Sequence, residues 1–162
     1  MISIRGMVES DVRSVVSFLK DEPVGFIKQW GGSRLYWPPV DETQILRRLN
    51  DPKSSDMFFA VLLNGAVIGS FELCHADFSE RVCVLCRFII KKELRSRGYG
   101  AEALRKTVSY AFGELNMLSV SLFVYDFNAA AIKCYEMAGF AEIERIKRSD
   151  GTTSLRMEIR NL

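Results

Sequence analysis

Three observations predict a mixed α/β (α+β) fold, a mostly antiparallel sheet flanked by helices. The apolar positions change period along the chain, helical before Leu49 and strand-like from Met57. Asn64-Gly65 joins two apolar runs, the pattern of a tight β-hairpin. Beyond it a strand–helix–strand unit is followed by a short helix and a terminal pair of strands joined near Asp150-Gly151.

Taken in order, residues 2–5 read as a first strand. Residues 9–20 read as a helix with Val12, Val15, Val16 and Leu19 on one face and Ser10 placed to cap it. Residues 23–40 carry Gly25, Gly31, Gly32, Pro38 and Pro39 among Phe26, Trp30, Tyr36 and Trp37, so regular structure there should be short or broken. Residues 41–49 read as a short helix stopped by Asn50-Asp51-Pro52. Strands are expected at 57–63, 66–74 and 81–90. A charged loop, 91–97, leads to Gly98, and 99–112 then read as a helix with Leu104, Val108 and Ala111 at helical spacing. A strand at 119–124, a helix at 129–137 stopped by Gly139, and strands at 140–147 and 152–160 complete the chain.

The 162 residues fit one domain, 1–162, large enough to bury a core without staples. Apolar residues are 48% and charged residues 26%, the balance of a soluble globular protein. A net charge of +2 is too weak to argue for nucleic acid as a partner. No apolar run is long enough to span a bilayer, and the first residues lack the apolar core of a signal peptide. A cytoplasmic protein, monomer or homodimer, without a membrane partner is expected. Cys83 and Cys86 have the spacing of half a zinc site. They fall on a strand, where residues three apart point to opposite faces, and the one histidine, His75, supplies no second ligand cluster. Reduced thiols and no metal are the expectation for Cys74, Cys83, Cys86 and Cys134.

The segment Arg95-Ser96-Arg97-Gly98-Tyr99-Gly100-Ala101 stands between a strand and a helix. A helix start offers N–H groups with no internal partner and a positive dipole end, which suit a pyrophosphate. Glycines let a ligand approach the backbone, and arginines add charge of the right geometry. The bland alternative is an ordinary helix start with surface arginines. A rival is the dinucleotide fingerprint, since Gly98-x-Gly100-x-x-Ala103 matches it and Asp126 follows the next strand. Against the rival stand the long charged loop before Gly98, the late position, and the short chain remaining for a doubly wound sheet.

A second segment runs Asn128-Ala129-Ala130-Ala131-Ile132-Lys133-Cys134-Tyr135-Glu136-Met137-Ala138-Gly139-Phe140. Together the two segments resemble the GCN5-related N-acetyltransferase (GNAT) superfamily. Arg95, Gly98 and Gly100 fill the family's Arg/Gln-x-x-Gly-x-Gly/Ala motif, and Asn128, Tyr135, Gly139 and Phe140 fill its later one. Glu102, Ala103 and Tyr110-Ala111-Phe112 resemble the RimJ/RimL branch. The resemblance implies a GNAT-like sheet with a splayed central strand pair and acetyl-CoA as co-substrate. It implies transfer of the acetyl group to a primary amine by direct attack in a ternary complex. It places cofactor contacts at Phe88, Ile89 and Ile90 on the splayed strand, at Arg95, Ser96, Arg97, Gly98, Tyr99, Gly100 and Ala101 in the turn, and at Asn128 and Tyr135.

Acetyl transfer needs a neutral amine, a donor for the carbonyl oxygen and a proton for the leaving thiolate. Tyr135 matches the family's general acid; otherwise it is a helix tyrosine packed on the sheet. Glu72, mid-strand between Phe71 and Leu73, is a candidate base or a solvent-facing carboxylate. The family often uses water instead. Trp30, Tyr36 and Trp37 are candidate walls of the acceptor pocket, or else a packed aromatic cluster. Asp21, Glu22, Asp41 and Glu42 could draw a cationic acceptor or serve as helix-end charges. A peptide α-amine, a polyamine and an aminoglycoside all stay open as acceptors. So does a module that senses acyl-CoA without catalysis.

Overall fold

The computed structural model describes residues 1–32 and 34–162. Strands β1 (Ile2–Gly6), β2 (Met57–Leu63), β3 (Ala66–Asp77), β4 (Val82–Ile90), β5 (Ser119–Tyr125), β6 (Ala141–Lys147) and β7 (Thr153–Arg160) form one sheet in the order β1-β2-β3-β4-β5-β7-β6. Every neighbouring pair is antiparallel except β4 and β5. One parallel pair is too few for a doubly wound sheet, which removes the dinucleotide-fold rival. Among the described residues no helix is long and apolar enough to cross a membrane.

Successive strand residues alternate between two faces, as a period of two requires. Phe71, Leu73, Cys83, Leu85, Val120, Leu122, Leu155 and Met157 point to one side and pack with Leu104, Val108 and Ala111 of helix α4 (Tyr99–Gly113). Helix α5 (Ala129–Met137) lies against the same core through Ala131, Ile132, Cys134 and Tyr135. The other face, over β2–β4, is covered by α1 (Glu9–Lys20), α2 (Val24–Gly31) and α3 (Glu42–Leu49), which bury Val12, Val15, Leu19, Ile27, Tyr36 and Ile45 with Ile89. Two thiols of one strand thus face opposite ways, Cys83 into the α4 core and Cys86 towards Cys74 and Glu72.

Helix α1 spans the residues its periodicity marks, but Ser10 does not cap it. The cap position is Val8, and the Asp11 carboxylate turns back to accept from the Val8 N–H at 2.9 Å. The Gly- and Pro-rich stretch holds a full two-turn helix, α2, entered at Pro23. Proline's fixed φ is already suited to a helix start, and Gly31 permits close packing, since a Cβ there would lie 2.9 Å from the Tyr36 Cβ.

The central pair diverges. β4 pairs with β5 only at Val82–Ser119, Cys83–Val120 and Val84–Ser121, while β5 continues to Tyr125 alongside β7. Beyond Val84 the two strands are splayed. On the other side of β4 the register slips between Ser70–Ile89 and Glu72–Cys86, so Arg87 and Phe88 together oppose Phe71. Arg87 is the extra residue of this bulge and has φ of 50°.

Candidate active site

The open side of the splay is bounded by Phe88, Ile89 and Ile90 on β4 and leads to the turn before α4. Phe88 and Ile90 face the α4 core and Ile89 the α1–α3 layer. In the turn, Ser96 and Gly98 have φ of 61° and 85°. Left-handed residues alternating in this way curl successive N–H groups around one concavity, the form of an anion nest. Gly98 precedes α4, no side chain caps the helix, and the first intrahelical bond runs from the Glu102 N–H to the Gly98 carbonyl at 3.1 Å. The N–H groups of Tyr99, Gly100 and Ala101 therefore stand at the helix start without intrahelical acceptors.

The two glycines serve different needs. Gly98 has open space where a side chain would stand, so its requirement is the positive φ. Gly100 is a matter of room: a Cβ would lie 3.0 Å from the Cys134 Sγ of α5 and 3.8 Å from both Ile90 and Phe88. The turn is thus packed against the splayed strand and against α5.

Arg95 does not reach into the turn as a phosphate ligand. Its Nε donates to the Ile90 carbonyl at 2.7 Å, its Nη2 to Glu22 at 2.5 Å, and its guanidinium lies over the Phe26 ring at 4.9 Å. Its backbone N–H is also taken, by the Lys92 carbonyl. Arg95 is a clasp between the α1–α2 segment and the end of β4. Ser96 and Arg97 are exposed at the turn itself.

Asn128 caps α5, accepting from the Ala131 N–H at 3.3 Å. Tyr135, in the last turn of that helix, packs edge-on against Phe140 with centroids 6.1 Å apart. The residue as a whole is half-buried. Burial pushes its pKa well above the usual tyrosine value, with Cys134 and Cys86 adding to the shift, so the proton stays on at neutral pH.

Glu72 does not face solvent, and both of its carboxylate oxygens are held by arginines. It is 4% exposed, with Oε1 2.6 Å from Arg48 and Oε2 2.5 Å from Arg87. Arg48 also bridges Asp56 at 3.0 Å, and the Arg87 Nη2 lies 3.0 Å from the Cys74 Sγ. Asp56, Glu72 and Cys74 converge closely enough to suggest a metal, but the two guanidiniums already neutralise both carboxylates. Each Glu72 oxygen is thus engaged by a guanidinium that competes with any incoming proton for it.

The aromatic wall divides likewise. Tyr36 is 3% exposed, and its hydroxyl accepts from Arg48 at 2.8 Å, so it belongs to the core under α3. Burial, with the Glu72 charge, pushes its pKa up to about 12. Trp37 is 55% exposed and held by its backbone to Gln44, beside a groove lined by Arg34, Arg47 and Asp51. Trp30 alone reaches the splayed strand. Its Nε1 donates to the Arg87 carbonyl at 3.0 Å, and its ring stacks at a tilt on Tyr36. Of the acidic flank, Glu22 is taken by Arg95, Asp41 caps α3 at the Gln44 N–H, and Glu42 faces Arg13 at 3.4 Å.

Arg48 and Arg87 escape a reading of the sequence alone. Arg87 did leave a signal, a single charge inside the apolar run Val82-Cys83-Val84-Leu85-Cys86-Arg87-Phe88-Ile89-Ile90, while the preceding run Ala66 to Cys74 also holds a single charge, Glu72. Lone charges on two paired central strands imply each other, because a buried charge needs a partner. Arg48 carries no such mark, being one of two arginines on an exposed-looking helix.

A strand pair that splays beside a glycine turn is what the resemblance to the GNAT superfamily implies. Residues 25–140 match the acetyltransferase (GNAT) family. The chain belongs to that family. It is a GNAT acetyltransferase with acetyl-CoA as acyl donor, and its chemistry requires no metal. The nest, the uncapped helix start and the Gly100 cradle fit that donor. The fold is shared with spermidine N-acetyltransferase from Vibrio cholerae, solved with CoA and spermine, at TM-score 0.81 and 20% identity over 98% of this chain and 95% of that one. It is also shared with an aminoglycoside acetyltransferase solved with coenzyme A, at TM-score 0.78 and 19% identity over 99% and 95% of the two chains. A protein described as a probable acetyltransferase matches at 0.77 and 20%, over 98% and 92%.

Proposed function

We propose that this chain is a cytoplasmic N-acetyltransferase of the RimJ/RimL-like branch that acetylates a small primary amine. The observation that carries the transferase reading is the splay of β4 from β5 beyond Val84, ending at the nest before α4. The pyrophosphate of acetyl-CoA lies against the N–H groups of Gly98 to Ala101, and the pantetheine arm runs along Phe88 to Ile90. Asn128, while capping α5, contacts that arm with its amide.

In the reaction the neutral amine nitrogen attacks the thioester carbon. The C–N bond forms, the C–S bond breaks, and the thiolate takes a proton from the Tyr135 hydroxyl. A free amine has a pKa of about 10.4 and must lose a proton first. Both Glu72 oxygens are already held by arginines, so that proton leaves through water. As the amide forms, the nitrogen gives up its second proton to the same water, which returns a proton to the Tyr135 oxygen. The thiol's pKa of about 8.5 makes it a tolerable leaving group, which limits what Tyr135 must supply.

The acceptor approaches beside Trp30, between the α2 side of β4 and the open face of β5, where Phe123 is exposed. The Arg95–Glu22 clasp draws the α1–α2 segment against β4, which favours a polyamine or an aminoglycoside over a protein N-terminus. A panel of spermidine, an aminoglycoside and short peptides with free α-amines tests this through kcat/KM. Preference for a small polycation supports it, and preference for peptides overturns it.

A further inference from the structure

Resting on the acetyl-CoA reading above, we propose that Trp30 is a positioning residue that aims the backbone N–H of Phe88 at the thioester carbonyl. A non-glycine residue at φ of 50° is uncommon, and such backbone persists only where its surroundings hold it. Arg87 is held from both ends. Its guanidinium is fixed by Glu72 at 2.5 Å and the Cys74 Sγ at 3.0 Å, and Glu72 is itself fixed by Arg48 at 2.6 Å. Its carbonyl is fixed by the Trp30 indole at 3.0 Å.

The consequence follows from peptide geometry. In a planar trans peptide the C=O of one residue and the N–H of the next point in opposite directions. Drawing the Arg87 carbonyl to Trp30 on the α2 side turns the Phe88 N–H away from α2. That is the side where α4 begins and where the nest holds the donor's phosphates. The bulge lies just past Val84, where β5 has left β4, so the opening beside Phe88 is not filled by a neighbouring strand. A donor held in place before the reaction stabilises the carbonyl oxygen as negative charge builds on it. The Arg48–Glu72–Arg87 group thereby gains a purpose: it holds the side-chain end of the residue whose carbonyl end Trp30 holds.

Trp30→Phe keeps an aromatic ring against Tyr36 and removes the N–H along with part of the indole's bulk. Two readouts separate positioning from packing: kcat, and the infrared stretch of carbonyl-labelled acetyl-CoA bound to the protein. A fall in kcat of about tenfold or more is expected, given that loss of a whole oxyanion donor costs about a hundredfold or more. The bound carbonyl stretch should move back towards its frequency in water, while the Kd for CoA, which lacks the carbonyl, stays as in the wild type. An unchanged kcat and stretch would overturn the proposal. So would parallel losses of CoA affinity and melting temperature, which would make Trp30 a packing residue. If the wild type releases no thiol with any amine, the transferase reading fails, and the stretch of bound acetyl-CoA still decides the role of Trp30.

Discussion

Gly100, Tyr135 and Arg97 separate three kinds of contribution at the residue scale. Gly100 contributes room. Valine there must displace Cys134 and press on Ile90 and Phe88, with an overpacking cost of about 1–3 kcal/mol at the junction of turn, strand and α5. Arg97 contributes exposed charge, worth about 1 kcal/mol or less. Gly100→Val should therefore weaken acetyl-CoA binding more than Arg97→Ala in calorimetric titration; the reverse order would mean that side chains, not backbone, hold the phosphates. Tyr135, in the proposed role, contributes a proton. Tyr135→Phe should lower kcat about ten- to a hundredfold, at the modest end for a general acid because the thiol leaves readily, and change the acetyl-CoA KM less. Its raised pKa fixes a sign as well: the phenol is the donor below its pKa, so no alkaline limb in kcat should arise from it near neutral pH.

Elements place these groups, and Arg95 shows how. The residue fills a family motif next to the glycines, and the sequence invites a phosphate role for it. The fold instead ties it to Glu22, Phe26 and the Ile90 carbonyl. Arg95→Ala should raise the amine KM several-fold by freeing the α1–α2 segment, while leaving the acetyl-CoA Kd near the wild-type value. It should also lower the melting temperature, since it strands the buried Glu22 side chain at a cost of about 1–3 kcal/mol. A large loss of acetyl-CoA affinity with an unchanged amine KM would restore the phosphate role.

The same contrast explains what could be read in advance. Most strand and helix positions from Met57 onward follow from apolar patterning, as in α4, which buries Ala101, Leu104, Val108 and Ala111 along one face. Asn64-Gly65 and Gly139 mark real turns, with Gly65 and Gly139 at φ of 85° and 103°. Helix α2 was hidden by its glycines and prolines, which local rules count as breakers while tertiary packing uses Gly31 for closeness to Tyr36. Glu72 and Tyr36 misled for one reason. Their residue types suit an active site, but whether a carboxylate or phenol is free depends on partners distant in sequence, here Arg48 and Arg87.

At the scale of the whole molecule, two layers meet at one opening. The α4–α5 layer carries the nest, Asn128 and Tyr135, and the α1–α3 layer carries Trp30 and the arginine–glutamate group. β4 lies between them and departs from β5 beyond Val84. On the placement proposed above, the donor and the amine are held at once from opposite sides of the sheet, the arrangement that direct attack within a ternary complex requires. The measurement that bears on this most directly is the initial rate of CoA thiol release with acetyl-CoA and amine both varied. The arrangement predicts release that depends on the amine, with double-reciprocal lines that intersect. Binding of acetyl-CoA without thiol release for any amine, or parallel lines marking an acetylated enzyme, would contradict it.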